Sequence, residues 1–464
     1  MTLLLALACH DPDPVVPDSG TFPEPPTGET GVEPPALTAS CAADPANVLR
    51  YTCQVHVSPP QPVELTVADG AGARPEQVFG SAEVASDHLV HAWFLTAQTP
   101  YQWTVTALDT GETAEGQWFT GALPAGTNAP LVTFSGSSTA RKIGYLSPCT
   151  DGAYVLVADP SDGAVVWYED VALGPFGLLG GASFTEDRTV IAVVDGGLVE
   201  VDLAGDRRLE LYPGTQFPGY SHHDVFRRDG LTYALFEEVV HLDWGQYKLD
   251  GFFVFDAAGE VVGEWHLADW FLPPDDGTDD LGNVEDYSHA NAIWVDAAGR
   301  VTVSFRHLSA YVVVDGDPDS PRFGAVVDSV GSTNSPVPSA TALTPGALDP
   351  FDFQRQHNVH WLDETHLTLF DNRFPGLDNS RVLELELDPA AGTVVATRAW
   401  ELPRQCDYQG SAWRTAAGNP LATCGPTGEG WEFDLDDATV VWSGQPQCAT
   451  GLTVGVPRLV PLEW

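Results

Sequence analysis

The chain has 464 residues, with 20 Lys+Arg against 65 Asp+Glu and a formal net charge of −45. That length suggests two to four domains, and 43% hydrophobic with 10% aromatic residues is enough for real cores, which excludes disorder of the whole. The charge argues against nucleic acid or an anionic membrane surface as partner, because both need clustered Lys and Arg. Lys142 and Lys248 are the only lysines, so each Arg inside the fold is worth a question. The 45 Gly and 37 Pro suit short strands joined by turns, and an all-α fold is not expected.

Residues 1–9 form a short apolar run ending in Leu7-Ala8-Cys9. This resembles the processing site of bacterial lipoproteins, in which the Cys becomes the lipidated N-terminus. Ala6 stands where Leu is usual, and no basic residue precedes the run, so it reads as a truncated signal whose true start lies upstream. A plain disordered N-terminus is the alternative. Residues 10–35 are Pro-rich and acidic and cannot bury enough apolar surface to offset their ordering entropy, so they read as a tether. With Cys9 lipidated, Cys41, Cys53, Cys149, Cys406, Cys424 and Cys448 remain, enough for three disulfides in an oxidising compartment. Cys41 is expected to pair with Cys53, and Cys149 with one of the three near the C-terminus. Zinc is disfavoured because no C-x2-C spacing occurs.

Residues 36–125 alternate apolar and polar in short runs, clearest at 51–57, 63–67, 91–95 and 101–107. That pattern predicts a small antiparallel β-sandwich. The run Tyr101-Gln102-Trp103-Thr104-Val105-Thr106-Ala107 resembles the late core strand of a fibronectin type III module. No chemistry is visible here, and a spacer or packing role is expected.

From residue 126 a different unit recurs: an apolar strand, an Asp or Gly turn, then a strand ending in a large residue. Val165-Val166-Trp167 after Gly163 and Val440-Val441-Trp442 after Asp434 are examples. Strand repeats of about 40–60 residues predict a β-propeller. The units fall near 140–175, 178–215, 221–266, 288–330, 356–402 and 409–448, so the expected fold is all-β: a six-bladed propeller over 126–464, preceded by the sandwich.

Several of the 13 histidines open successive units. Unit three begins Tyr220-Ser221-His222-His223-Asp224, unit four Tyr287-Ser288-His289-Ala290-Asn291, and unit five Arg355-Gln356-His357-Asn358. Equivalent places in successive blades should converge on the central channel. Strand alternation would put His289 with Asn291 and His222 with Asp224 on one face, with His223 opposite. His360 and His366 fall outside the pattern and read as structural. Arg306, about one hairpin beyond Asn291, reads as an anion clamp against the alternative of a blade-edge salt bridge. Phe370-Asp371-Asn372-Arg373 could orient neighbours of His357. The acidic loop 275–280 reads as solvated charge rather than a calcium site.

Together, Ser288-His289-Ala290-Asn291, Val303-Ser304-Phe305-Arg306-His307, Gln356-His357-Asn358 and Phe370-Asp371-Asn372 resemble the bacterial arylsulfotransferase family. The resemblance covers about residues 36–464, with its specific motifs between 220 and 373. It implies an exported six-bladed propeller that moves a sulfuryl group from an aryl sulfate donor to a phenolic acceptor without a nucleotide donor. By position, His357 resembles the nucleophile that becomes sulfated. His289, Asn291, Arg306 and either of His222 and His223 resemble the groups that hold the sulfuryl and donor oxygens. Asn358 stands where the family usually has a small or acidic residue.

No cofactor or metal is expected on this reading. The membrane is reached only through a lipid anchor at Cys9, and a homodimer is left open. The expected location is the periplasm or cell surface of a bacterium. Two rivals stay open: a propeller enzyme with a His-bound metal, for which Asp224 argues and Arg306 argues against, and a propeller that only binds.

Overall fold

The computed structural model describes residues 36–464, apart from 175–176, 276–283, 375, 377 and 450–452. Cys9, the tether and most of the acidic loop lie outside the described residues. The fold is all-β, with seven sheets among the described residues.

The first sheet has five strands, Ala36–Ala43, Tyr51–Asp69, Gln77–Ala92, Pro100–Ala107 and Thr113–Phe119. The expected runs at 51–57 and 63–67 are parts of one 19-residue strand that pairs with Ala36–Ala43, Gln77–Ala92 and Pro100–Ala107. The run expected at 91–95 is cut short: its strand ends at Ala92, and Phe94 is left-handed at φ 58°. Alternate residues Cys53, Val55 and Val57 are buried with Leu65, Val90, Trp103 and Trp118 in a cluster of their own. Arg50 reaches out of this sheet to Glu169, and Asn47 reaches the Tyr168 carbonyl, so buried polar contacts dock it on the rest.

The other six sheets follow the six expected units. Numbering these six from the sheet that contains Lys142–Leu146, sheets two to six open with Leu179–Phe184, Ser221–Arg228, Ala290–Val295, His357–Trp361 and Ser411–Arg414, and Ala342–Thr344 adds to sheet five beside Thr393–Glu401. Sheet one is completed from the far end of the chain. Val460–Leu462 pairs with Lys142–Leu146, while Leu131–Gly136 adds to sheet six beside Val440–Pro446. Early and late segments thus interlock two sheets. The first strands of sheets two to five lie side by side in sequence, and that of sheet six touches both Val460–Leu462 and sheet five.

Local chemistry explains the repeat. Central strands such as Val190–Val194 are buried on both faces, hence their unbroken apolar character. Hairpin turns reuse one device: the Asp256 and Asp296 carboxylates accept from Ala258 and Ala298 N–H, and Gly259 and Gly299 take the left-handed positions that close each turn. Trp167 and Trp400 are buried between sheets and donate Nε1–H to the Leu203 and Asp434 carbonyls of the next sheet. Three disulfides, Cys41–Cys53, Cys149–Cys448 and Cys406–Cys424, use all six expected cysteines. They are consistent with an exported protein. No helix among the described residues is long and apolar enough to cross a membrane.

Candidate active site

The histidines converge through irregular strand openings. In sheet three the pairing skips from Ser221 to Val225, in sheet four from Ala290 to Ala292, and in sheet five from His357 to His360. The bulges differ in length, and His223, His289 and Asn358 take left-handed φ of 54°, 51° and 49°. Non-glycine residues held there store strain, which is common where side chains are re-aimed. Simple alternation therefore fails. His222 does not share a face with Asp224. It contacts Asp250 and His223, whereas Asp224 binds Arg458 and the Ile293 N–H. Gly181 of sheet two makes room for this opening: a Cβ there would lie 1.9 Å from the His223 carbonyl oxygen.

His357 is 4% exposed, and its Nδ1 lies 2.7 Å from Asn372 Oδ1. Asn372 donates its amide N–H groups to the carbonyls of Cys406, at 2.7 Å, and Gln409, at 2.8 Å. Those two acceptors fix which end of the amide is oxygen. His357 must then carry its proton on Nδ1, which leaves the Nε2 lone pair free. Burial holds His357 well below its ordinary pKa, and Arg306, His223 and His289 oppose its charging further. It is a neutral imidazole at pH 7.

Arg306 is buried, and no carboxylate lies within ion-pair distance of it among the described residues. One terminal nitrogen contacts His307 Nε2 at 2.6 Å, the other donates to the Asp407 carbonyl, and Nε has no partner among the described residues. Burial, and then Arg355, push its pKa down to about 10, so it remains a cation at neutral pH. A blade-edge salt bridge is not what the structure shows.

Asn291 is buried and donates Nδ2–H to the carbonyl of Gln356, the residue before His357. One amide N–H stays available. Its Oδ1 has no partner among the described residues.

The remaining imidazoles form a chain. Ring centroids lie 4.9 Å apart for His222–His223, 4.8 Å for His223–His289 and 4.6 Å for His289–His307. Burial pushes His222 down, but the buried Asp250 carboxylate, 3.0 Å from its Nε2, outweighs this and holds the ring above its usual pKa. Asp250 also accepts from the Ser288 hydroxyl and the Ala290 N–H. Burial, then the charge of His222, depress His223 to about 3. His222 therefore donates Nδ1–H to His223 Nδ1 across 2.7 Å. That places the proton of His223 on Nε2. His289 Nδ1 contacts Asp286 at 2.6 Å. His222, His223, His289, Tyr220 and Asp250 line a cavity of about 280 Å³, whereas His357, Arg306 and Asn291 are buried and do not line it.

Sequence reasoning missed Asp250, Asp286, His307 and Arg458. Asp250 had a signal, a lone carboxylate inside the apolar run 247–255. Arg458 had none, because only the fold brings the last segment to the first strands.

A family model described as Arylsulfotransferase (ASST) matches residues 138–404, more than half of the chain. No curated protein matches the chain in sequence. Among solved structures it is similar to a protein of unknown function from Bacteroides caccae, 11% identical with a TM-score of 0.45, over 70% of this chain and 100% of that one. It is also similar to a streptogramin B lyase, 11% identical with a TM-score of 0.37, over 71% of this chain and 90% of that one. Likenesses this distant carry no argument about chemistry.

Proposed function

The chain belongs to the arylsulfotransferase family, and from that premise we propose that it moves a sulfuryl group from an aryl sulfate to a phenol through a sulfo-histidine at His357. The observation that carries this reading is the fixed tautomer of His357, a neutral imidazole with its lone pair on Nε2, near Arg306, which has no carboxylate partner among the described residues. The family match supports aryl sulfates and phenols as the substrate class.

In the first step His357 Nε2 attacks sulfur, the N–S bond forms and the S–O bond to the donor ring breaks. Negative charge on the sulfuryl oxygens is met by the Arg306 guanidinium and the free N–H of Asn291, and a preorganised donor of this kind is worth about 10²–10³ in rate. The leaving phenolate takes the Nε2 proton of His223 while protonated His222 passes its Nδ1 proton to His223 Nδ1, so that both rings end neutral beside the Asp250 carboxylate. In the second step an acceptor phenol returns that proton, its oxygen attacks sulfur, and the N–S bond breaks to restore neutral His357.

On the same reading the six sheets are the blades of one propeller and residues 36–125 a fibronectin type III-like module. The whole is an exported lipoprotein held at Cys9.

One observation favours a second reading. Asp286, His289 and His307 offer ligand atoms within 4.8 Å of one another. Against a cation there, both nitrogens of His307 already have partners, the Asp286 carbonyl and Arg306, and the guanidinium would repel a metal ion. Transfer from 4-nitrophenyl sulfate to phenol, with and without chelator, on the wild type and His357→Ala, separates the two. Chelator-resistant release that vanishes in the variant supports the sulfo-histidine. Chelator-sensitive release supports the metal.

A further inference from the structure

The first strands continue past the histidines to a second cavity of about 450 Å³, within the range of small-molecule sites. Four successive sheets each give it one ring: Phe226, Trp294, His360 and Trp413. The rings touch in order, with centroids 4.7 Å apart for Phe226–Trp294, 5.5 Å for Trp294–His360 and 4.8 Å for His360–Trp413, the last pair stacked. Phe226, Trp294 and Trp413 keep part of their surface open. Exposed Asp187 and Asp229 also line the cavity, so it reaches solvent.

Two arginines of this cavity are matched by carboxylates within the protein, while Glu186, Asp187 and Asp229 sit exposed at its rim. Arg458 is paired with Asp224 and also donates to the Asn291 carbonyl, which ties this wall to the backbone of the histidine site. Arg227 is paired with Glu200 at 2.8 Å. Burial keeps His360 down to about 4, so the ring facing Trp413 is uncharged at neutral pH. Trp413 Nε1 has no hydrogen-bond partner among the described residues. A wall of ring faces selects for flatness and aromaticity, and the rim carboxylates disfavour an anion.

We propose that this cavity is a second small-molecule site that binds a flat, uncharged aromatic ring of phenol or naphthol size, distinct from the site at His357. Its one imidazole among the described residues, His360, stacks on Trp413 and has both ring nitrogens within 3.3 Å of the Thr368 hydroxyl, so it does not present a free nitrogen to sulfur. The site is therefore one of binding and not of transfer, and it stands whether or not His357 is sulfated.

The test uses the full chain and 2-naphthol without any sulfate donor, so that no turnover occurs. Equilibrium dialysis counts bound naphthol on the wild type, Trp413→Ala and Arg306→Ala. Loss of stacking area should weaken one class of site by roughly 10-fold in Trp413→Ala, while Arg306→Ala keeps that class. Equal binding by the wild type and Trp413→Ala overturns the proposal. Wild-type crystals soaked in 4-bromophenol give a second measurement that needs no variant. A bromine anomalous peak against Trp413 and Trp294 is expected, and its absence from this cavity overturns the proposal.

Discussion

Asn372 commits its amide N–H groups to the Cys406 and Gln409 carbonyls and so turns its oxygen onto His357 Nδ1, 2.7 Å away. The backbone of the segment that opens sheet six thereby sets the tautomer of a histidine in sheet five. The Cys406–Cys424 disulfide pins the same segment. Asn372 thereby decides which nitrogen of His357 carries the proton and which carries the lone pair.

Asn372→Ala should therefore lower kcat for 4-nitrophenyl sulfate by up to roughly 10⁴-fold, the scale of losing a tautomer-fixing partner, with a much smaller change in KM. It removes a hydrogen bond from the part-buried Gln409 carbonyl and leaves the buried Cys406 carbonyl only a long contact from the Ser380 hydroxyl, at a stability cost of about 1–3 kcal/mol. A thermal melt confirms that the measured protein is folded. A rise in KM with kcat intact would contradict the positioning role.

Arg306→Lys keeps the charge but not the planar fork. Transfer should fall by about 10²-fold or more if guanidinium N–H groups meet the sulfuryl oxygens. Single-turnover rates measure this. A Lys variant as fast as wild type would show that charge alone suffices and that Arg306 does not hold the sulfuryl group.

Asp250 favours the charged form of His222, and His222 in turn contacts His223. Asp250→Asn should hurt poor leaving groups more than good ones. We expect roughly 10²-fold loss with 4-methylphenyl sulfate, at the low end of what general acid catalysis contributes, and a smaller loss with 4-nitrophenyl sulfate. Equal losses on both donors would mean that this chain does not protonate the leaving oxygen.

Much of this was legible in the sequence, and the reason is periodicity. The Asp–Gly turns and interlocking Trp residues recur because every sheet solves the same packing problem, so six units could be counted. His222, His223, His289, His357, Asn291 and Arg306 were identifiable because they sit beside those repeats. Their orientation was not. Bulges of unequal length, with left-handed His223 and His289, break the two-residue period on which alternation rests. Asp250 and Arg458 act across sheets from places that carry no motif. The sandwich strands were readable except near Phe94, where a left-handed residue ends the run early.

Buried histidines contribute to the acid dependence of stability. Burial depresses His360 to about 4 and His223 to about 3, whereas unfolded histidine titrates near 6.5. Between those values the unfolded chain binds more protons, so stability falls as pH drops below about 6.5, by about 1.4 kcal/mol per pH unit for each such group. His222 has the opposite sign: its raised pKa gives stability that is full below about 6.5 and lost as pH rises through its folded value. His360→Phe should flatten the fall of Tm between pH 6.5 and 4. Parallel Tm curves for variant and wild type would contradict the buried neutral state of His360.

The most direct test is the intact mass of the protein after mixing with 4-nitrophenyl sulfate in the absence of any acceptor, followed by peptide mapping under alkaline conditions. The account predicts a nitrophenol burst of one equivalent, a mass increase of one sulfuryl group placed on His357, and loss of that mass when phenol is added. Turnover with unmodified protein, or a sulfuryl group on any other residue, would contradict it.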